Sequence, residues 1–115
     1  MTILEIMNIL GAELLCGQEI IDKEILYACG SDLMSDVLAF VKDHTILLTG
    51  LTNPQVVRTA EMMDISAIVF VRGKRPADEV IKIAAERKMA VLLTKYKMFT
   101  ACGLLYQAGL RGDVI

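Results

Sequence analysis

Short aliphatic segments alternate regularly with amphipathic helical segments, and this alternation constrains the fold more than any other feature of the sequence. The predicted strands lie at 45–49 (TILLT), 67–71 (AIVFV) and 89–94 (MAVLLT), and the helices that follow them at 54–63, 77–88 and about 98–108. Continuous β-branched and aliphatic strands that alternate with helices are typical of a parallel sheet covered on both faces. The sequence therefore predicts an α/β fold, with a mostly parallel sheet and helices on both faces in a single three-layer domain over 1–115.

The N-terminal segment has the signals of a capped helix. Thr2 and Glu5 have the spacing of a capping box, and Gly11 supplies a stop, so a helix is predicted over 2–10. A short strand is predicted next, at 13–16 (ELLC).

The second strand is predicted at 25–29 (ILYAC) and the following helix at 32–42, with Ser31 as its cap. Only nine residues, 17–25, are left for the connection from the first strand. That length is short for a helical crossover, so these two strands are not expected to form a βαβ unit.

The amino-acid composition and charge argue against a membrane protein and against a nucleic-acid-binding protein. Hydrophobic residues make up 55% of the 115 residues and aromatic residues 5%, which predicts an aliphatic core. The apolar runs are far too short to cross a bilayer and the N-terminus has no basic signal region, so a soluble, cytoplasmic protein with no membrane contact is expected. A net charge of −2 argues against nucleic-acid binding by phosphate neutralisation.

The three cysteines, Cys16, Cys29 and Cys102, are odd in number and widely spaced, with no C-x-x-C pair. Each lies in or beside an apolar segment, which favours buried thiols over metal or iron–sulfur ligation. No metal and no cofactor is predicted.

The sequence contains few residues that could form a catalytic site. His44 is the only histidine and precedes a strand, at the amino edge, where a surface role is expected. Asp32 and Asp36 lie one helical turn apart, and acids at a helix start usually complement its dipole. Because no nucleophile–base pair can be named, we predict a binding protein and not an enzyme.

The strand-to-helix turns of a parallel sheet meet at its carboxyl edge, where ligands usually bind. In this chain those turns contain glycines, helix-capping side chains and five of the twelve Lys and Arg residues. The predicted ligand-binding residues are Gly30, Ser31, Asp32, Thr49, Gly50, Thr52, Asn53, Arg72, Gly73, Arg75, Thr94, Lys95 and Tyr96. The alternative is ordinary turn chemistry with solvated cations, and neither a P-loop nor a dinucleotide fingerprint is present.

Four motifs carry a resemblance to a known family: GSDLMSDVLA at 30–39, TG at 49–50, IVFVRG at 68–73 and L-T-x-Y-x-x-F-T at 93–100. The chain resembles the DRTGG domain family over nearly its whole length. The resemblance implies an α/β fold, a tendency to dimerise, no established catalytic activity and a place near adenine-nucleotide regulation. Such domains occur in some phosphotransacetylases and CBS-domain pyrophosphatases, and as small free-standing proteins. At 51–53 and 72–74 the sequence departs from the pattern that names the family.

Two functions of different class follow. The first is a non-catalytic regulatory domain that binds an adenine nucleotide or a similar phosphate-bearing small molecule. The second is an interaction module of a redox complex such as an iron-only hydrogenase, with no small-molecule ligand. A homodimer is predicted from surplus apolar residues on the helices, namely Met34, Leu38, Met62, Met63, Met98, Leu104 and Leu105.

Overall fold

A five-stranded sheet organises the chain, in a computed structural model that describes residues 1–41 and 43–112. The helices are α1 (Ile3–Leu10), α2 (Met34–Phe40), α3 (Pro54–Met62), α4 (Asp78–Glu86) and α5 (Met98–Gln107), and the strands are β1 (Glu13–Cys16), β2 (Tyr27–Gly30), β3 (Thr45–Thr49), β4 (Ala67–Phe70) and β5 (Ala90–Leu93). The strand order is β1-β5-β4-β3-β2. Strands β2 to β5 are parallel, and β1 pairs with β5 in the antiparallel direction.

Helices cover both faces of the sheet, which confirms the predicted fold class. In β3, successive side chains lie on opposite faces of the sheet: Ile46 and Leu48 join one core cluster and Leu47 joins the other. The first cluster is closed by α1 and α5, and the second by α2, α3 and α4. All three residues are fully buried, as expected of a strand between two helical layers.

The N-terminal helix has the predicted caps. The Thr2 hydroxyl accepts a hydrogen bond from the Glu5 amide at 3.1 Å, and the Glu5 carboxylate accepts from the Thr2 amide at 3.2 Å. Gly11 closes the helix in the left-handed conformation, with φ +55°.

The connection between β1 and β2 contains no α-helical crossover, as predicted, and its only regular element is the 3₁₀-helix Gln18–Ile20. The two strands lie at opposite edges of the sheet. The second strand begins at Tyr27 and not at Ile25, because the Ile25 amide donates to the Met1 carbonyl at 2.7 Å instead of to a strand.

The prediction that Ser31 caps α2 is wrong. The helix begins at Met34, and the residue at its cap position is Leu33, which makes no side-chain capping bond. The Ser31 hydroxyl accepts from the Leu33 amide at 3.0 Å in a local turn that ends before the helix starts. The predicted end of this helix, at Lys42, lies outside the described residues.

No helix within residues 1–41 and 43–112 combines the length and apolar character that a membrane-spanning helix needs.

Candidate ligand site at the carboxyl edge of the sheet

Hydrogen bonds hold the turns after β2, β3, β4 and β5 side by side at the carboxyl edge. The Ser31 amide donates to the Leu48 carbonyl at 3.0 Å, and the Val71 amide to the Thr49 carbonyl at 3.1 Å. The Arg72 amide donates to the Tyr96 carbonyl at 2.8 Å. The structure therefore brings together the four turns that contain the predicted ligand-binding residues. Whether they bind a ligand stays a prediction.

The carboxylate of Asp32 bonds to the amide of Gly50, one of the predicted ligand-binding residues. Asp32 Oδ1 accepts from the Gly50 amide at 2.7 Å and from the Thr49 hydroxyl at 3.1 Å. Thr49 is fully buried, and its Oγ accepts in turn from the Leu51 amide at 3.2 Å. Asp36 lies in the first turn of α2, as predicted, whereas Asp32 precedes the helix and anchors a neighbouring turn.

The guanidinium of Arg72 lies over the same turn. A Cβ atom built on Gly50 would be 3.4 Å from Arg72 Nε and 3.5 Å from Asp32 Oδ1, so these two groups flank the Gly50 backbone. Arg72 has φ +64°, in the left-handed region that costs a residue with a side chain about 1–2 kcal/mol. Among the described residues it forms no salt bridge. A strained backbone and a guanidinium without a salt bridge together make Arg72 a candidate functional residue of this edge.

The glycines of these turns have different roles. Gly50 has room for a Cβ atom at ordinary van der Waals distance and does not adopt a left-handed φ. Gly30 has no such room, because a Cβ atom there would lie 2.7 Å from Cys102 Sγ and 3.2 Å from Met98 Sδ. Close packing of α5 against the end of β2 explains Gly30, and no ligand is needed to account for it.

Three further predicted residues have partners within the fold. The Thr94 hydroxyl, which is buried, donates to the Leu10 carbonyl at 2.9 Å, and the Gly73 amide donates to the Thr94 carbonyl at 2.8 Å. Arg75 Nη1 lies 3.0 Å from Glu13 Oε2, in a pair exposed enough to contribute only about 0–1 kcal/mol. These contacts join β5, α1 and β1 to the edge.

The remaining polar groups lie in the turns of the same edge. Asn53 caps α3, because its Oδ1 accepts from the Gln55 amide at 3.0 Å, as predicted. Within the described part of the chain, the amides of Thr52 and Asn53 donate to no backbone carbonyl or side chain. They lie at the positive end of α3. The exposed cations of the edge with no salt bridge among the described residues are Arg72, Lys74, Lys95 and Lys97. Such an arrangement is suited to holding an anion.

The three cysteines are free and half-buried, so they are less buried than predicted. Burial raises the pKa of Cys16, Cys29 and Cys102 above 9.0, and for Cys29 the nearby Cys102 and Asp36 add to the rise. No group of three or more His, Cys, Asp or Glu side chains among the described residues is arranged to hold a metal ion.

These thiols should be unreactive while the protein is folded. Because the neutral thiol is favoured in the folded state, its contribution to stability is present below pH 9 and lost as the pH rises through the higher folded pKa. We expect slow labelling by iodoacetamide at pH 7 and fast labelling in urea, followed by mass spectrometry. Rapid labelling of Cys29 in the folded protein would contradict this assignment.

These features define a class of protein, an α/β domain with a mostly parallel sheet and a cationic carboxyl edge. The family model of the DRTGG domain matches residues 5–108, and the chain therefore belongs to the DRTGG domain family. Among solved structures, the chain is similar to the CBS and DRTGG domains of the regulatory region of Clostridium perfringens pyrophosphatase, complexed with the activator diadenosine tetraphosphate. The TM-score is 0.71 at 20% identity, over 90% of this chain and 45% of that chain, and at this identity the likeness shows the fold. No curated protein matches the sequence.

Proposed function

We propose that this domain is a non-catalytic regulatory module that binds an adenine nucleotide or a similar phosphate-bearing small molecule at the carboxyl edge. One observation carries the proposal. Arg72 is held in a strained conformation over the Gly50 turn, and its guanidinium forms no salt bridge within residues 1–41 and 43–112. A bound phosphate gives this cation a partner.

The proposed phosphate position lies beside the Gly50 amide, not on it, because Asp32 already accepts that hydrogen bond. The amides of Thr52 and Asn53 would supply two donors at the start of α3, and Arg72 would supply a planar, bidentate donor. Lys95 would balance further charge from the adjoining turn. The nucleotide class is our first choice because the regulatory region of the similar pyrophosphatase was solved with a dinucleotide activator. The present chain spans less than half of that structure.

A thermal-shift panel tests this function. At a nucleotide concentration 100 times Kd, mass action should stabilise the domain by about 2.7 kcal/mol, or roughly 10 °C in Tm. The panel contains ATP, ADP, AMP, diadenosine tetraphosphate, acetyl phosphate and inorganic phosphate. We expect at least one nucleotide to raise Tm. In Arg72→Ala, we expect the same rise in Tm to require at least a tenfold higher nucleotide concentration, since a charge-assisted bond contributes about 1.5–3 kcal/mol.

The matched control is Arg87→Ala, which removes the same charge at the amino edge, where Arg87 Nε pairs with Glu61 Oε2 at 3.0 Å. This variant should keep the full nucleotide shift. If no compound moves Tm, or if both arginine variants lose the shift equally, the carboxyl edge is not the binding site.

The hypothesis of an interaction module in a redox complex has no support from the comparisons, which point to a regulatory region. A cytoplasmic location stays a prediction.

A further inference from the structure

Two exposed aromatic side chains lie at the carboxyl edge, one in the turn after β5 and one in the first turn of α5. Tyr96 is 44% exposed and Phe99 is 90% exposed, which makes Phe99 the most exposed large hydrophobic side chain among the described residues. The sequence contains only three tyrosines and three phenylalanines, so two of its six aromatic residues lie together here. A single exposed hydrophobic residue is common on protein surfaces. The surroundings of this pair are what give it meaning.

The backbone of Tyr96 is fixed beside the strained Arg72. The Tyr96 carbonyl accepts a hydrogen bond from the Arg72 amide at 2.8 Å, and the Tyr96 amide donates to the Thr94 hydroxyl at 3.3 Å. The turn after β4 packs on the same segment, because a Cβ atom built on Gly73 would lie 3.9 Å from Lys95 Cα. The aromatic pair and the proposed phosphate position therefore belong to adjoining turns that backbone contacts hold together.

Cations flank Tyr96 in the sequence. Lys95 precedes it and Lys97 follows it, and both lysines are exposed and form no salt bridge with any described residue. Aromatic rings bordered by cations are suited to a base that carries phosphates, because the rings stack on the base while the cations attract the phosphate oxygens. A purely apolar ligand would leave the lysines without a counter-charge, and a purely anionic ligand would leave both rings in water.

Phe99 is separate from the apolar residues of α5 that were predicted to contribute to a dimer contact. In the structure Leu105 is 1% exposed, and Met98 and Leu104 pack against the core beneath α5. These three residues therefore belong to the core and not to a surplus surface, and the homodimer stays a prediction. Phe99 belongs to neither core cluster, so packing of the fold does not account for its apolar side chain.

We propose that Tyr96 and Phe99 form the stacking surface for the base of the nucleotide, and that they make the site prefer a nucleotide to a phosphate without a base. This inference rests on the proposed function, since it places the base beside a phosphate held at Arg72. Stacking uses the flat face of a base, so it favours larger rings over a particular pattern of hydrogen-bonding groups. Purine nucleotides should therefore bind more tightly than pyrimidine nucleotides.

Isothermal titration calorimetry on the full chain tests this role by comparing ATP with inorganic triphosphate, which has the phosphate chain without the base. Stacking contributes a factor of roughly 5 to 100 in affinity per base, so ATP should bind more tightly by about that factor. Tyr96→Ala and Phe99→Ala should each weaken ATP binding by at least about threefold and leave triphosphate binding unchanged. The matched control is Tyr106→Ala, near the other end of α5, where Tyr106 is 60% exposed; this variant should bind both compounds as the wild-type chain does.

Tryptophan fluorescence gives a second readout. The sequence contains no tryptophan, so Tyr96→Trp supplies a single probe at the stacking surface. The indole keeps a flat aromatic face, so this variant should bind ATP at least as tightly as the wild-type chain. ATP should quench its emission and triphosphate should not, because only ATP brings a base onto the ring.

The outcomes separate the stacking surface from the proposed function. If nucleotides bind and Arg72→Ala weakens them, but Tyr96→Ala and Phe99→Ala bind ATP as the wild-type chain does, the stacking surface is overturned and the phosphate site stands. Equal affinities of the wild-type chain for ATP and triphosphate have the same meaning. Loss of both compounds in the aromatic variants would show that the rings only hold the turn in place, which also overturns the stacking surface. If the wild-type chain binds neither compound, both proposals fail.

Discussion

Replacing Gly17 by alanine is expected to lower the free energy of unfolding by roughly 3–5 kcal/mol. Gly17 has φ +97°, and a Cβ atom there would lie 2.3 Å from the Ala90 Cα and 2.7 Å from the Met89 carbonyl oxygen. Both contacts are with backbone at the start of β5, so relief requires the antiparallel pairing of β1 with β5 to shift. Urea denaturation followed by circular dichroism measures the change.

The matched control for this substitution is Gly109→Ala. Gly109 has φ +113°, similarly unfavourable for a side chain, but a Cβ atom there would meet nothing within 4 Å. Backbone strain alone should cost about 1–2 kcal/mol. The difference between the two variants therefore measures the clash with β5. Equal losses would show that Gly17 is required only for its backbone conformation.

Asp32→Ala is expected to lower the free energy of unfolding by about 2–4 kcal/mol, because two charge-assisted hydrogen bonds are lost. The substitution leaves the Gly50 amide and the buried Thr49 hydroxyl without their acceptor. Asp32 itself is exposed, so water can hydrogen-bond to the two donors after the substitution. The free energy of unfolding should therefore fall by less than the sum of two such bonds. The measurement is the same urea titration at pH 7, where the carboxylate is ionised.

Asp32→Asn separates the hydrogen bonds from the charge. The amide oxygen accepts from the same two donors, so stability should fall by no more than about 1.5 kcal/mol. Removing the negative charge beside Arg72 should make a phosphate-bearing ligand bind roughly threefold to tenfold more tightly. If Asp32→Asn is as unstable as Asp32→Ala, Asp32 stabilises the turn through its charge and not through these two hydrogen bonds. Weaker nucleotide binding in Asp32→Asn would mean that the carboxylate itself takes part in recognition.

The amino-acid sequence by itself determined the elements and the fold class. Segments such as 45–49 consist of aliphatic and β-branched residues, and their alternation with helical periodicity favours a sheet covered on both faces. Helix starts could be predicted where the signal is local, as with the Thr2–Glu5 capping box and with Asn53 before Pro54. In these cases the donor and the acceptor are two or three residues apart, so the contact forms whatever the rest of the chain does.

Only the tertiary structure decided which polar groups of the carboxyl edge are already engaged. Asp32 bonds to Gly50, 18 residues away, and Arg75 pairs with Glu13, 62 residues away. Gly30 is a glycine because Cys102 packs against it. Turn residues such as serine and aspartate have several acceptable partners of similar energy, so their local sequence does not select one. The choice depends on which strand ends lie side by side, and that order is set by packing of the two apolar cores across the whole sheet.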